Sequence, residues 1–334
     1  MTRHGLGQQL RHSFRIAVRP LSSRLPGRRR TAFILSGGGA LGAVQVGMLR
    51  ALVEAGIRPD LVLGCSVGAI NGAAFAADPS LRGVARLERI WRRLADGEPE
   101  LMPGRLIPVA VQLARKGESI HAAEPLEQLL HEELPVATFD ELAIEFQCVA
   151  TNVEKAEERW FTDGDLIEAL MASASLPAVY PSRWIDGIEY VDGGVLNEIH
   201  TARAVELGMT ELYVLHVGHL DRSPRYVGRP FDGAIRAVET HRRFRLADDL
   251  RRVPPHCTVH RLPAGGASSL RFDNFGHGPE LAELAFRHSR AYLRTGVAPP
   301  PDGADYAADD IDPEADDDFE IDLDAPGDEY PPTS

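Results

Sequence analysis

An α/β fold with a mostly parallel central sheet is predicted for this 334-residue chain, on three observations. Two strand–glycine turn–helix units follow one another near the N-terminus, and consecutive units of that kind place their strands side by side and parallel. Downstream, short β-favouring runs alternate with segments of helical period as far as residue 294. At 44% hydrophobic and 25% charged, the chain has enough apolar material for one large core.

The first unit starts at residues 31–36 (TAFILS), an apolar β-favouring run ending in Gly37, Gly38 and Gly39, and residues 40–55 then place apolar groups at helical spacing. The second has an apolar run at 60–63, a tight turn at 64–68 and a small-residue helix at 69–77. Residues 81–95, 105–116 and 124–133 read as helices punctuated by Pro99, Pro103 and Pro108, a place where a lid or substrate-facing cap can reside. Strands are expected at 144–153 and 158–162, then a helix with an acidic first turn at 165–174. A hairpin over 183–191 turns at Asp186-Gly187 and leads directly into Asp192-Gly193-Gly194. Helix 201–207, strand 211–217, helix 231–251, strand 257–262 and helix 279–294 complete the series, with no internal repeat.

The formal charge of −13 is unevenly spread. Residues 1–30 hold eight arginines and no acid, whereas residues 302–329 hold fourteen acids and no base. The first stretch reads as a disordered basic arm, although Leu10, Phe14, Val18 and Leu21 recur at helical spacing among arginines suited to an anionic membrane surface. From residue 297 to 334 the Pro, Asp, Glu and Ala composition buries too little surface to offset ordering entropy, which predicts a disordered acidic tail and a folded domain over 31–296. The mildly acidic middle attracts nucleic acid little, and no nucleic-acid partner is expected. Cys65, Cys148 and Cys257 lie far apart without CxxC spacing, as free thiols of a reducing, cytoplasmic compartment would. No signal-like run and nothing near the ~20 apolar residues of a spanning helix occurs.

Gly64-Cys65-Ser66-Val67-Gly68 sets a serine between two glycines where a strand meets a helix, a sharp elbow that projects a nucleophilic hydroxyl from the sheet edge. G-x-S-x-G alone is equally a flexible turn; the flanking strand and helix and the earlier glycine turn favour the nucleophile. That earlier turn, Gly37-Gly38-Gly39-Ala40-Leu41-Gly42, opens a helix with unhindered amides, which a developing oxyanion requires. A phosphate-cradling loop is the alternative, but the lysine of G-x-x-x-x-G-K-[ST] and a clear ribose-binding acid are missing. Asp192 is the candidate proton acceptor for Ser66, in a turn whose Gly193 and Gly194 permit close approach; an ordinary β-turn is the alternative. Cys65 reads as a buried small residue, and His216 with His219 lacks further ligands, so no metal is expected. His200, His216, His241 and His277 keep open a Ser-Asp-His triad on an α/β-hydrolase fold, disfavoured because Ser66 follows only two strand candidates.

In order and separation, the glycine-rich turn, the G-x-S-x-G elbow and the D-G-G turn resemble the patatin-like phospholipase family, as does ASASLPAVYP at 172–181. The similarity runs over residues 31–218. It implies a three-layer α/β/α sandwich, a catalytic pair of Ser66 and Asp192, and an oxyanion hole of Gly37, Gly38 and Gly39, with Gly42, Gly64, Gly68, Gly193 and Gly194 supporting the turns. It also implies hydrolysis of a lipid or other acyl ester through an acyl-enzyme, with no histidine and no cofactor; an idle, lipid-binding version of the same fold is the non-enzymatic alternative. Leu41 stands where family members often carry a basic residue, and Ile199 where proline commonly follows, which leaves headgroup handling open. Asp192 serves best as a base with a raised pKa, which burial beneath the hairpin provides if no arginine lies alongside.

Overall fold

The computed structural model describes residues 29–97, 123–177, 179–217, 232–265 and 274–299. The basic stretch up to residue 28, the helix expected at 105–116, His219 and the tail from residue 300 onward lie outside the described residues. The strands are β1 (Thr31–Leu35), β2 (Leu61–Cys65), β3 (Glu145–Asn152), β4 (Glu157–Phe161), β5 (Arg183–Ile185), β6 (Ile188–Asp192), β7 (Glu211–Leu215) and β8 (Thr258–Arg261). The helices are α1 (Ala43–Glu54), α2 (Val67–Ala77), α3 (Leu81–Ala95), α4 (Glu124–Glu133), α5 (Leu166–Ser173), α6 (Thr201–Glu206), α7 (Asp232–Arg251) and α8 (Gly278–Thr295).

The strands join in one sheet in the order β5-β6-β3-β2-β1-β7-β8, with β4 paired to β3 beside this path. β3, β2, β1, β7 and β8 run parallel, while β4 and β6 lie antiparallel to β3. Alternation along β1 divides the core, because successive strand side chains point to opposite faces. Phe33 and Leu35 join the larger core with Leu49 of α1, Ala73 of α2, Leu87 of α3, Leu170 of α5 and Leu281 of α8. Ala32 and Ile34 join the smaller one with Leu63, Leu212, Ala204 of α6 and Leu246 of α7. The result is the expected α/β/α sandwich, and each fully buried Phe or Leu contributes about 1.5–3 kcal/mol to it.

Local chemistry sets the element ends. α3 begins where the Ser80 hydroxyl accepts the Gly83 amide at 3.4 Å, and it buries Val84, Leu87, Ile90 and Trp91 while Arg82, Arg89 and Arg92 are exposed. The β5–β6 hairpin turns through Asp186 at φ 52° and Gly187 at φ 77°, the left-handed pair that matches strand twist. Three boundaries differ from the sequence expectation. Residues Gly39–Gly42 form a tighter 3-10 turn and α1 starts only at Ala43, because Gly38 (φ 147°) and Gly39 (φ 56°) depart from helical geometry first. β2 continues through Gly64 and Cys65, which pair with Cys148 and Val149, so the elbow is compressed into Ser66 and α2 starts at Val67. Arg29 and Arg30, placed in the basic arm by composition, dock on the body: Arg29 pairs with Glu211 at 2.7 Å, and Arg30 donates to the Leu207 carbonyl at 2.7 Å. Among the described residues, no helix is long and apolar enough to cross a membrane.

Candidate active site

Backbone pairing brings the three glycine turns together. β1 and β2 are parallel neighbours with Leu35 opposite Gly64, so the turns leaving their C-terminal ends lie side by side. A methyl group on Gly37 would stand 3.2 Å from Ser66 Cβ and 3.9 Å from its Oγ. β3 provides the second alignment: Cys65 pairs with Val149 and Asp192 with the next residue, Ala150. With β4 along the opposite edge of β3, β2 and β6 meet end to end. Ser66 and Asp192 therefore adjoin, and the Ser66 hydroxyl is near enough to the Asp192 carboxylate to favour its charged form.

Ser66 sits at φ 56° and ψ −129°, a conformation that costs a non-glycine residue on the order of 1–3 kcal/mol. Its surroundings enforce it. The Ser66 amide donates to Ser173 Oγ at 3.0 Å, and its carbonyl accepts the Ala69 and Ile70 amides at 2.8 and 3.3 Å. Gly68 is needed for the approach of α2 to β1, since a Cβ there would fall 2.4 Å from the Ser36 carbonyl oxygen. Gly64 lies against the backbone of Gly68 and Ala69, and Gly193 against the Val149 carbonyl. The Gly37-Gly38-Gly39 amides donate to no group among the described residues, and Gly38 is turned by its positive φ toward Val217. Gly42 caps α1, its carbonyl accepting Asn71 Nδ2 at 3.0 Å. Leu41 packs, half-buried, against the larger core.

Asp192 is 1% exposed. Burial pushes its carboxyl up, opposed by the Arg242 guanidinium, the Ser66 hydroxyl and the Gly194 amide at 2.7 Å; burial prevails and the pKa is raised. The condition set from sequence, that no arginine lie alongside, is not met: Arg242 of α7 donates through Nε to the Gly194 carbonyl at 2.7 Å and pairs with Glu198 at 3.5 Å. Burial also pushes Glu198 up, but the His216 hydrogen bond at 3.1 Å and Arg242 draw it below its ordinary value. Behind the aspartate, Cys65 Sγ lies 4.0 Å from Asp192 Oδ1, and burial followed by the Asp192 charge raises the thiol well above its usual range. A thiol so held stays protonated and makes a poor nucleophile.

The histidines considered for a triad have partners elsewhere. His200 Nδ1 lies 3.6 Å from Glu158, and burial drives its pKa down to about 4. His216 meets Glu198, His241 lies 3.3 Å from the Leu196 carbonyl, and His277 lies 3.2 Å from Glu280. Among the described residues, no three His, Cys, Asp or Glu side chains converge as a metal site requires. Ile199 is buried in the smaller core and its amide donates to Asn197 Oδ1 at 3.2 Å, a bond that proline cannot make. Arg242 and Glu198 escaped the sequence reading, which named Ser173 only within the 172–181 stretch. Arg242 is one of several arginines on a long helix, and nothing local marks the one that folds back to the D-G-G turn.

The model of the patatin-like phospholipase family matches residues 33–204. Lysophospholipase nte1 of Emericella nidulans is 25% identical over 304 residues, covering 82% of this chain and 19% of that protein. Lysophospholipase NTE1 of Phaeosphaeria nodorum is 26% identical over 296 residues, with shares of 82% and 19%. The chain thus spans about a fifth of the length of these curated relatives. Among solved structures, VipD from Legionella pneumophila aligns with a TM-score of 0.45 at 15% identity, over 80% of this chain and 67% of that one. The family match covers more than half of the chain and contains all three glycine turns with Ser66 and Asp192, and the chain belongs to the patatin-like phospholipase family.

Proposed function

We propose that the chain is a serine lipid acyl hydrolase working through a Ser66–Asp192 pair. The observation that carries this is the Ser66 hydroxyl set beside a buried carboxylate and beside a turn whose amides donate to no group among the described residues. Asp192 accepts the Ser66 proton as Oγ attacks the ester carbonyl, and the Gly37, Gly38 and Gly39 amides receive the developing oxyanion. The tetrahedral intermediate collapses, the carbonyl carbon–oxygen ester bond breaks, and the leaving alcohol takes the proton from Asp192. Asp192 then deprotonates a water that attacks the acyl-enzyme, releasing a fatty acid and regenerating Ser66. Family membership and two relatives named lysophospholipases favour a lysophospholipid as substrate. A cytoplasmic setting, and contact of the arginine-rich residues 1–30 with an anionic lipid surface, belong to the same proposal.

A fluorophosphonate probe, followed by mass spectrometry of the labelled peptide, tests the nucleophile. The expected adduct is on Ser66, with fatty acid released from lysophospholipid by the unlabelled protein. An inert wild type would instead mark an idle lipid-binding fold, and loss of labelling in His200→Asn or His216→Asn would restore the triad. The pH profile tests the base. Arg242 lowers the Asp192 pKa, so Arg242→Gln, which keeps a donor for the Gly194 carbonyl, is expected to move the acid limb of kcat/KM to higher pH. An unmoved limb would detach that limb from Asp192.

A further inference from the structure

A chain of buried side chains runs from α3 to the glycine-rich turn and ends on both of its flanks. Gln45, in the first turn of α1, donates through Nε2 to the Ser36 carbonyl at 2.8 Å and to the Leu215 carbonyl at 3.1 Å. Asn71 of α2 donates through Nδ2 to the Gly42 carbonyl at 3.0 Å and to Gln45 Oε1 at 2.9 Å. Trp91 of α3 donates through Nε1 to Asn71 Oδ1 at 3.1 Å. Gln45 and Asn71 are 0% and 1% exposed. Every amide N–H of the two side chains is engaged, and each amide oxygen is occupied.

Such a network is costly to bury and strongly directional once complete. Its position is informative. The carbonyls it grips, Ser36 and Gly42, bracket the turn beside Ser66, and the Ser36 carbonyl shares its peptide plane with the Gly37 N–H, so holding one directs the other. Ser36 is held a second way, its hydroxyl donating to the Gly37 carbonyl at 3.0 Å and accepting the Val217 amide at 3.2 Å. The three glycines carry no side chains to anchor the turn, so its orientation must come from such neighbours. Oxyanion donors act through pre-arranged direction more than through number, which makes this clamp consequential for the chemical step.

We infer that Gln45 and Asn71 are positioning residues for acyl transfer, a side-chain clamp that sets the direction of the Gly37–Gly39 amides. The inference rests on the acyl-hydrolase proposal for Ser66 and adds residues that never touch the substrate. Asn71→Asp is nearly isosteric but turns donors into acceptors against the Gly42 carbonyl and Gln45 Oε1. Trp91→Phe deletes the far donor together with part of a ring that packs beside Gly42 and Phe275, and leaves the Gln45 and Asn71 bonds to the turn in place. Asn71→Asp is expected to lower kcat and the rate of fluorophosphonate labelling by about 10–100-fold with KM little changed. Trp91→Phe is expected to lose thermal stability while keeping kcat within about threefold. Gln45→Met serves as the second variant should Asn71→Asp not fold, with the same loss expected. All rates are read well below each variant's melting temperature, where a purely structural role leaves kcat unchanged. Folded Asn71→Asp or Gln45→Met with wild-type kcat and labelling overturns the clamp while leaving Ser66 as nucleophile. A wild type that neither labels nor hydrolyses overturns the underlying acyl-hydrolase proposal itself.

Discussion

Replacing Ser66 with glycine is expected to abolish fluorophosphonate labelling and to lower ester hydrolysis by a factor on the order of 10³ or more, while the protein melts close to wild type. The activity term is the larger because the nucleophile itself is gone. The stability term nearly cancels. Glycine at φ 56° relieves strain on the order of 1–3 kcal/mol, against about 0.5–1 kcal/mol of added backbone entropy in the unfolded chain and a lost hydrogen bond of comparable size. Ser66→Ala keeps the strain and is expected to be equally inactive and no more stable than Ser66→Gly. Retained labelling in either variant would assign the nucleophile to another residue.

Asp192→Asn is the second large effect: kcat/KM is expected to fall on the order of 10²–10⁴-fold, since the general base is lost while the fold is kept. Stability should move the opposite way. The folded-state pKa of Asp192 is raised by burial, so between its unfolded and folded values the native state binds the proton more tightly than the unfolded chain does. Wild-type stability from this group is therefore present at low pH and declines as pH rises through the folded value. Asparagine carries no such penalty, so Asp192→Asn is expected to unfold later than wild type at neutral pH, with the gap closing once the pH falls below the ordinary aspartate range. Thermal melts of both proteins across pH, with turnover of a chromogenic acyl ester, check both statements. Unchanged turnover would remove Asp192 as the base.

The elements around Ser66 were legible because their signals are local: strand, glycine, serine, glycine and helix fall within a few residues. Asp192 was legible for the same reason, as a D-G-G turn closing a hairpin marked by Asp186-Gly187. Periodicity placed α1 and α2 but misplaced their starts, since it registers apolar spacing and not the φ values of Gly38 and Gly39 that force a 3-10 turn first. Arg242, Glu198, Gln45 and Asn71 were not legible. Each is an ordinary polar residue in its own segment, and its role comes from contacts made across long stretches of chain. Ile199 shows a related limit: the departure from proline is explained only once its amide is seen to donate to Asn197.

The register of β3 has one more consequence. Since Val149 holds the strand that ends before the serine and Ala150 holds the aspartate, the reacting groups are fastened to successive residues of a single strand. Their separation is thereby insulated from the length of everything threaded between them. Changes in the length of the chain joining β2 to β3 therefore leave that gap unstretched, and substrate choice is free to vary around a fixed chemical core.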